Sequence, residues 1–146
     1  FPAAAQPVPV RLFYDGERLS ADWVDIADTD PTLPFLDDRI AQAGPSWRAA
    51  LPTASRAIQP SVLILHAGRC GSTLVSRSLS RMSRCHVLSE PQAVNAVLGV
   101  DGIWPFQSRT SRSEALRQVI AALTASARTD QDRVVLKLSS WNALHL

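Results

Sequence analysis

The sequence has little cysteine, almost no lysine and no long apolar run. Its 146 residues include two cysteines, and they contain no CxxC motif and no pair of histidines at metal-ligand spacing. This composition argues against a disulfide scaffold and a structural zinc site, and it favours a reducing, cytoplasmic compartment. No apolar run reaches the ~18 residues that a membrane-spanning helix needs. Residues 1–10 also lack the basic start and apolar stretch of a secretory signal.

Positive charge is in small excess and comes almost entirely from arginine. The 15 basic and 13 acidic residues give a net charge of +2, which is too small to predict bulk nucleic-acid binding. The basic residues concentrate around one loop and the helix after it, which favours a local anion site. Apolar residues make up 46% of the chain and charged residues 19%, as is typical of a globular domain that buries a core.

The segment from Ser61 to Arg84 predicts a strand, a glycine-bearing turn and a helix. Four consecutive aliphatic residues, 62–65, are typical of a strand buried on both faces of a parallel sheet. The turn His66-Ala67-Gly68-Arg69-Cys70-Gly71-Ser72-Thr73 follows directly. Beyond the turn, residues that recur at intervals of three and four give a helix one apolar face: Leu74, Val75, Ser78, Leu79 and Met82.

Such a turn is suited to anion binding. The first amide groups of a helix have no intrahelical partner, and the aligned peptide dipoles add partial positive charge there. Gly68 and Gly71 permit close approach of the backbone, while Ser72 and Thr73 add hydroxyl donors. Arg69 adds a guanidinium group, whose fork of donors suits the oxygens of phosphate or sulfate.

The turn departs from the Walker pattern GxxxxGK[ST] at two positions. His66 stands in place of the first glycine and Ser72 in place of the lysine, while Gly71 and Thr73 fit the pattern. Positive charge is instead found at Arg69. With this arrangement, RCGSTLVSRSL resembles the 5'-phosphosulfate loop of sulfotransferases that use 3'-phosphoadenosine 5'-phosphosulfate (PAPS). It looks like the arginine-containing version found in bacterial and protein-tyrosine sulfotransferases.

The resemblance implies a role for each residue that matches the family pattern. Six loop residues would bind the nucleotide: Gly68, Arg69, Cys70, Gly71, Ser72 and Thr73. Arg69 would also act in catalysis by opposing the charge that grows on the 5'-phosphate. Glu90 follows a second strand, where the family has the base that deprotonates the acceptor. Lys137 lies in VLKLSSWN, similar to the family stretch whose lysine neutralises the transferring oxygens.

The implied reaction transfers a sulfuryl group from the co-substrate PAPS to the hydroxyl or amine of an unidentified acceptor. No metal is required, because fixed cations do the work that magnesium does in kinases. No nucleic-acid or membrane partner is indicated, and the sequence does not indicate an oligomeric state. Such enzymes bind the 3'-phosphate through an Arg and a Ser on a later strand and helix. The chain is therefore expected to be an amino-terminal portion of such a domain, or a degenerate member that binds without turnover.

Two other functions fit the same loop. A P-loop nucleotide kinase or NTPase shares the strand, loop and helix and would bind ATP with magnesium, but Ser72 replaces its lysine. In addition, no Asp ends the third strand, where an ATP-hydrolysing relative has a residue that helps to hold magnesium. A non-catalytic module that binds a phosphorylated partner needs nothing beyond the loop.

The predicted fold class is α/β, a P-loop-type three-layer sandwich with a central parallel sheet and a small N-terminal extension. Residues 1–60 form the extension and a connector, and residues 61–146 form the sulfotransferase-like P-loop domain. The extension is predicted to contain a hairpin that turns at Asp15-Gly16, an edge strand with Trp23, a short helix over 35–43 and a helical turn at Trp47.

The predicted domain alternates strands and helices after the anion-binding turn. Strands at 85–88 and 133–138 are separated by a helix at 92–98 and a second helix that extends to Ala127. Ser111 and Glu114 have capping-box spacing and mark the start of that second helix. The loop 99–109 carries Trp104 and Phe106, which are candidates for the acceptor pocket or for covering the core.

Overall fold

The structure, a computed structural model, describes residues 5–15, 18–52, 59–99 and 109–144. Within these ranges it contains six strands, four α-helices and one 3-10 helix. The strands form one antiparallel and one parallel sheet, each of three strands, so the predicted α/β class is confirmed. Among the residues that the structure describes, no helix combines the length and the apolar content needed to cross a membrane.

The antiparallel sheet is built from the first fifty residues. Its strands lie in the order β1 (Pro7–Tyr14), β2 (Leu19–Asp25) and β3 (Trp47–Ala50). The predicted hairpin is confirmed, because Tyr14 pairs with Leu19 across the turn. A short helix, α1 (Leu36–Ile40), lies within the predicted range 35–43.

Two predictions around the tryptophans are wrong. Trp23 does not form a separate edge strand, since it lies in the middle of β2. Trp47 does not lie in a helical turn, because it pairs with Trp23 across β2 and β3. The indole of Trp23 also donates a hydrogen bond to the Ala49 carbonyl over 3.2 Å. Cross-strand aromatic pairs stabilise antiparallel sheets, and this pair joins strands that are distant in sequence.

The parallel sheet has β6 (Arg133–Lys137) in the centre, between β4 (Val62–Ile64) and β5 (Cys85–Ser89). Helix α2 (Ser72–Ser80) connects β4 to β5. Two helices, α3 (Gln92–Leu98) and α4 (Arg109–Ala125), lie between β5 and β6 in sequence. A 3-10 helix, Ser140–Leu144, follows β6. The predicted capping box is wrong, because α4 begins before Ser111.

Both faces of β5 and β6 in the parallel sheet are covered. Val87 and Val135 cluster with Leu79 of α2 on one face. Leu88 and Leu136 belong to the larger core, which also includes apolar side chains of α3, α4 and the antiparallel sheet. Because side chains alternate along a strand, β5 and β6 supply both clusters at once.

The strand before the anion-binding turn differs from its prediction. β4 is an edge strand of three residues, and the side chain of Leu63 is 47% exposed. The expectation of a strand buried on both faces is wrong, because Val62 and Leu63, which point to opposite faces, are both exposed. Within the described residues, β4 also pairs only with β6. On the predicted apolar face of α2, Leu74, Val75 and Met82 are exposed and Leu79 is partly buried, whereas the buried residues of the helix are Ser72 and Ser76.

The larger hydrophobic core contains side chains from both sides of residue 60. Leu12 and Trp23 from the first part and Leu88 and Leu123 from the second are members of the same cluster. The division of the chain into 1–60 and 61–146 stays a prediction. Trp104 and Phe106, the predicted aromatic loop residues, lie outside the described residues.

Candidate functional site

The carboxyl ends of the three parallel strands bring three polar side chains to one edge of the sheet. Ile64 of β4 pairs with Lys137 of β6, and Ser89 of β5 pairs with the same lysine. Residues at or just after these positions therefore meet, and they are His66, Lys137 and Glu90. This is the edge at which open α/β sheets bind their ligands.

Lys137 and Glu90 form a partly buried ion pair. The Lys137 side chain is 0% exposed, and its Nζ donates a hydrogen bond to Glu90 Oε1. The Phe35 ring lies near the same ammonium group, with 5.3 Å between Nζ and the ring centroid. A second link joins the backbones, because the Glu90 amide donates to the Lys137 carbonyl over 2.7 Å. A buried ammonium group requires such a partner, since removal from water disfavours its charge.

His66 lies beside this pair and presents an unpaired nitrogen to it. Its side chain is 10% exposed, and Nε2 is 3.7 Å from Glu90 Oε1. Nδ1 is 3.0 Å from the Ala67 carbonyl oxygen. Because a carbonyl oxygen only accepts, this contact requires the proton on Nδ1 and leaves Nε2 as an acceptor in the neutral ring. Nε2 is buried and has no hydrogen-bond partner among the described residues.

Two candidate residues have a backbone conformation that side chains disfavour. Arg69 has φ of 61° and Glu90 has φ of 56°, and among the described residues they are the non-glycine residues with positive φ. Gly71, with φ of 86°, also occupies this region, where a glycine is suited. Such conformations cost energy and are found preferentially at functional sites.

The turn before α2 presents free amide donors, as expected. The amides of Leu74 and Val75 both donate to the Gly71 carbonyl, over 2.9 and 3.3 Å. The preceding amides, of Ser72 and Thr73, donate to no acceptor within the described ranges. They are thus available to an anion, and the start of α2 adds its dipole.

The side chains of the turn differ in how far they are exposed to solvent. Arg69 and Cys70 are exposed, whereas the Ser72 side chain is buried. Arg69 makes no hydrogen bond or ion pair with the residues that the structure describes. Its guanidinium group is therefore available to a ligand, and no described residue holds it in place.

A buried amide network fixes the segments that follow Glu90 and Lys137. Asn95 of α3 accepts hydrogen bonds at Oδ1 from Ser139 Oγ, over 3.0 Å, and from Asn142 Nδ2, over 2.8 Å. Ser139 comes two residues after Lys137, and Asn95 comes five residues after Glu90. The network thus ties the turn after β6 to the helix after β5. This network could not be predicted from the sequence, because the pattern of residues in a helix does not distinguish a buried asparagine from a solvent-facing one.

The structure brings together two of the three predicted catalytic residues, Glu90 and Lys137, but does not link Arg69 to either by a hydrogen bond or ion pair. His66 was missed as a functional residue, although its position after a parallel strand is the signal that identified Glu90. No family model, curated protein or solved structure matches the chain. Its function is accordingly inferred from the chemistry of this edge.

Proposed function

We propose that the chain is sulfotransferase-like and transfers a sulfuryl group from PAPS to an acceptor hydroxyl or amine, on a P-loop-type sandwich. The observation that carries the proposal is the ion pair between Lys137 and Glu90, which are 47 positions apart in sequence. The family resemblance implies complementary roles for these two residues, a base and a cation, and their contact supports those roles. A base and a cation in contact at the carboxyl edge of a parallel sheet suit group transfer.

The nucleotide end of the proposed reaction depends on the turn before α2. The free amides of Ser72 and Thr73 would bind the 5'-phosphate, with the helix dipole behind them. Arg69 would add a mobile guanidinium group that closes on the same phosphate. As the bond between sulfur and the bridging oxygen breaks, negative charge grows on that phosphate, and these donors oppose it.

The acceptor end depends on an exchange of partners by Lys137. In the free protein its ammonium group is bonded to the Glu90 carboxylate. The sulfuryl oxygens of PAPS would attract Lys137 and release Glu90 to take the acceptor proton. The new bond forms between sulfur and the acceptor atom, the bond from sulfur to the 5'-phosphate breaks, and the phosphoadenosine product (PAP) leaves with the electron pair.

Calorimetry tests the proposal with PAP, PAPS and ATP with magnesium as separate ligands. We expect PAP to bind, and Arg69→Ala to weaken that binding by about 10- to 100-fold, the value of one or two charge-assisted hydrogen bonds. Arg81→Ala is the matched control, since Arg81 is also exposed but lies at the far end of α2. It should leave the affinity for PAP unchanged.

Each other outcome of the titration assigns a different function. Binding of ATP that requires magnesium, without binding of PAP, would assign the loop to a nucleotide kinase or NTPase. Binding of neither nucleotide would leave a module that binds a phosphorylated partner. Equal loss of PAP binding in Arg69→Ala and Arg81→Ala would mean that the turn is not the nucleotide site.

A further inference from the structure

Two proton acceptors lie side by side at the carboxyl edge of the parallel sheet. Glu90 offers a carboxylate, and His66 offers Nε2, which is 3.7 Å from Glu90 Oε1. Lys137 donates to Glu90, but no described residue donates to His66 Nε2. A buried polar atom without a partner is rare in proteins, and at the edge of a ligand site it is explained by a ligand that supplies the donor.

The number of acceptors distinguishes between the two classes of substrate. Transfer to a hydroxyl group releases one proton, for which Glu90 is sufficient. A primary amine reaches the site as an ammonium ion and must lose two protons. The first frees the nitrogen lone pair that attacks sulfur, and the second leaves as the nitrogen becomes a sulfamate. The balanced reaction is R–NH3⁺ + PAPS → R–NH–SO3⁻ + PAP + 2 H⁺.

We infer that the acceptor is a primary amine, and that Glu90 and His66 each take one of its protons. This inference rests on the proposed function. The spacing of the two acceptors fits it, because a nitrogen about 2.9 Å from each of them bridges a gap of this size. The contact between His66 Nδ1 and the Ala67 carbonyl also supports the inference. It holds the ring proton on Nδ1 and so leaves the lone pair on Nε2 to accept a proton.

The charges at this edge set an order of binding. An ammonium ion is attracted to the Glu90 carboxylate but is repelled by Lys137, which holds that carboxylate in the free protein. Once the sulfuryl oxygens draw Lys137 away, the lysine is paired with those oxygens and the ammonium ion of the acceptor is paired with Glu90. The nucleotide therefore binds first and the amine second.

The resonance of His66 Nε2 tests the inference without any turnover. The full chain is labelled with ¹⁵N-histidine, and His66 is assigned by the signal that is lost in His66→Gln. Methylamine and methanol, the smallest amine and alcohol, are then added separately to the protein saturated with PAP and inorganic sulfate, whose oxygens take the place of the sulfuryl oxygens that draw Lys137 from Glu90. We expect methylamine to shift the Nε2 resonance and methanol at the same concentration to leave it in place.

Two results of this experiment would overturn the inference. One is an equal shift with methanol, which would remove the preference for an amine. The other is no shift with methylamine although calorimetry shows that PAP is bound. Failure of PAP itself to bind would reject the proposed function as well, so the two failures are distinguishable.

Turnover adds a test of the second proton. With PAPS and methylamine, we expect His66→Gln to lower the rate of PAP release by about 100-fold, the usual value of a general base, with unchanged affinity for PAP. Free imidazole should restore activity to His66→Ala, which a merely structural role would not allow. Full activity of His66→Gln with methylamine would reject the role of His66.

Discussion

Backbone strain coincides with the residues to which chemistry is assigned. Arg69 and Glu90 both have positive φ, which costs a residue with a side chain about 1–2 kcal/mol. Neither position needs its side chain for the turn itself, because a glycine would adopt the same conformation without strain. The strain is consistent with selection for the arginine and the carboxylate rather than for stability.

The strain predicts that stability and ligand binding respond in opposite directions at position 69. Arg69→Gly should be more stable than Arg69→Ala by about 0.5 to 1 kcal/mol, because glycine accepts positive φ. Both variants should lose PAP binding. Urea denaturation measures the stability, and Arg81 is the control. Arg81 has φ of −82°, so there the alanine variant should be the more stable one. The same order at both positions would contradict the prediction.

His86 is a buried histidine outside the candidate site. Its Nε2 is 2.8 Å from Ser126 Oγ, and that hydroxyl donates its hydrogen to the Leu123 carbonyl over 2.6 Å. The histidine must therefore donate in the first contact and carries its proton on Nε2. Burial, and then the charges of Arg39 and Arg128, lower the pKa of His86 from 6.5 to about 4.

This shift predicts a loss of stability in weak acid. In the unfolded chain His86 takes up a proton near pH 6.5, whereas in the folded protein it does so only near its pKa of about 4. The unfolded state thus binds more protons between these values, and the free energy of unfolding falls as the pH falls through them. We expect His86 to contribute about 2 to 3 kcal/mol to the loss between about pH 7 and about pH 4.5.

Urea denaturation of the wild type and of His86→Gln at both pH values isolates this contribution. The glutamine amide can still donate to Ser126 but does not titrate, so the stability of the variant should depend less on pH. Carboxylates titrate equally in both proteins and cancel in the comparison. Identical pH dependence in the two proteins would contradict the pKa of His86.

Among the elements, α2 buries two serines more completely than any of its apolar residues. Ser72 and Ser76 are four residues apart, share one face and are buried, with Ser76 only 2% exposed. Leu74 is 72% exposed on the same helix.

This pattern of burial predicts that substituting a buried serine of α2 lowers stability more than substituting an exposed leucine. Ser76→Leu should destabilise the protein by about 1–3 kcal/mol, because Ser76 is buried and the larger side chain overpacks the space around it. Leu74→Ser should change the stability by no more than about 0.5 kcal/mol, since the leucine is exposed. Thermal denaturation of the two variants compares them directly. A greater loss in Leu74→Ser would show that the leucine face is buried in solution.

The sequence predicted the elements whose signals are local. β5, β6 and α3 were found because each has an apolar pattern bounded by turn residues. The strand at Trp47 was missed, because its four residues depend on pairing with β2. The face of α2 was misjudged for a related reason, since polarity along a helix does not reveal how closely the neighbouring sheet approaches.

Two residues of the candidate site could be predicted from the sequence, but their contacts could not. Glu90 and Lys137 could be predicted, because strand ends and a loop resemblance identify the edge where ligands bind. Their ion pair could not be predicted, since it joins residues that are far apart in the chain. His66 was seen only as a departure from a loop pattern. The lack of a partner for its Nε2 is a property of the folded protein and leaves no trace in the sequence.

The molecule as a whole leaves one edge of its parallel sheet open within the described residues. β4 pairs with β6 on one side only, and its exposed side chains include Val62 and Leu63. An exposed apolar edge strand is a template for pairing with another strand.

We expect this chain to associate as its concentration rises, through pairing of β4 with a second copy. Sedimentation velocity over a range of concentrations measures the association. Leu63→Lys should weaken it, because a charge on an edge strand opposes pairing between like copies. Leu74→Lys adds the same charge to the exposed surface of α2 and serves as the control. A monomer at every concentration, or equal effects of both lysines, would contradict the role of β4.

The complete burial of Lys137 gives the chain an internal reporter, because it is the single lysine in the sequence. Acylating reagents react with an amine only where water reaches it. Label at Lys137 should therefore accumulate only during moments when the strand ends separate, and mass spectrometry would count those events. A bound nucleotide that stabilises the closed edge would slow the labelling, so the rate of acylation at Lys137 would measure how often the strand ends separate.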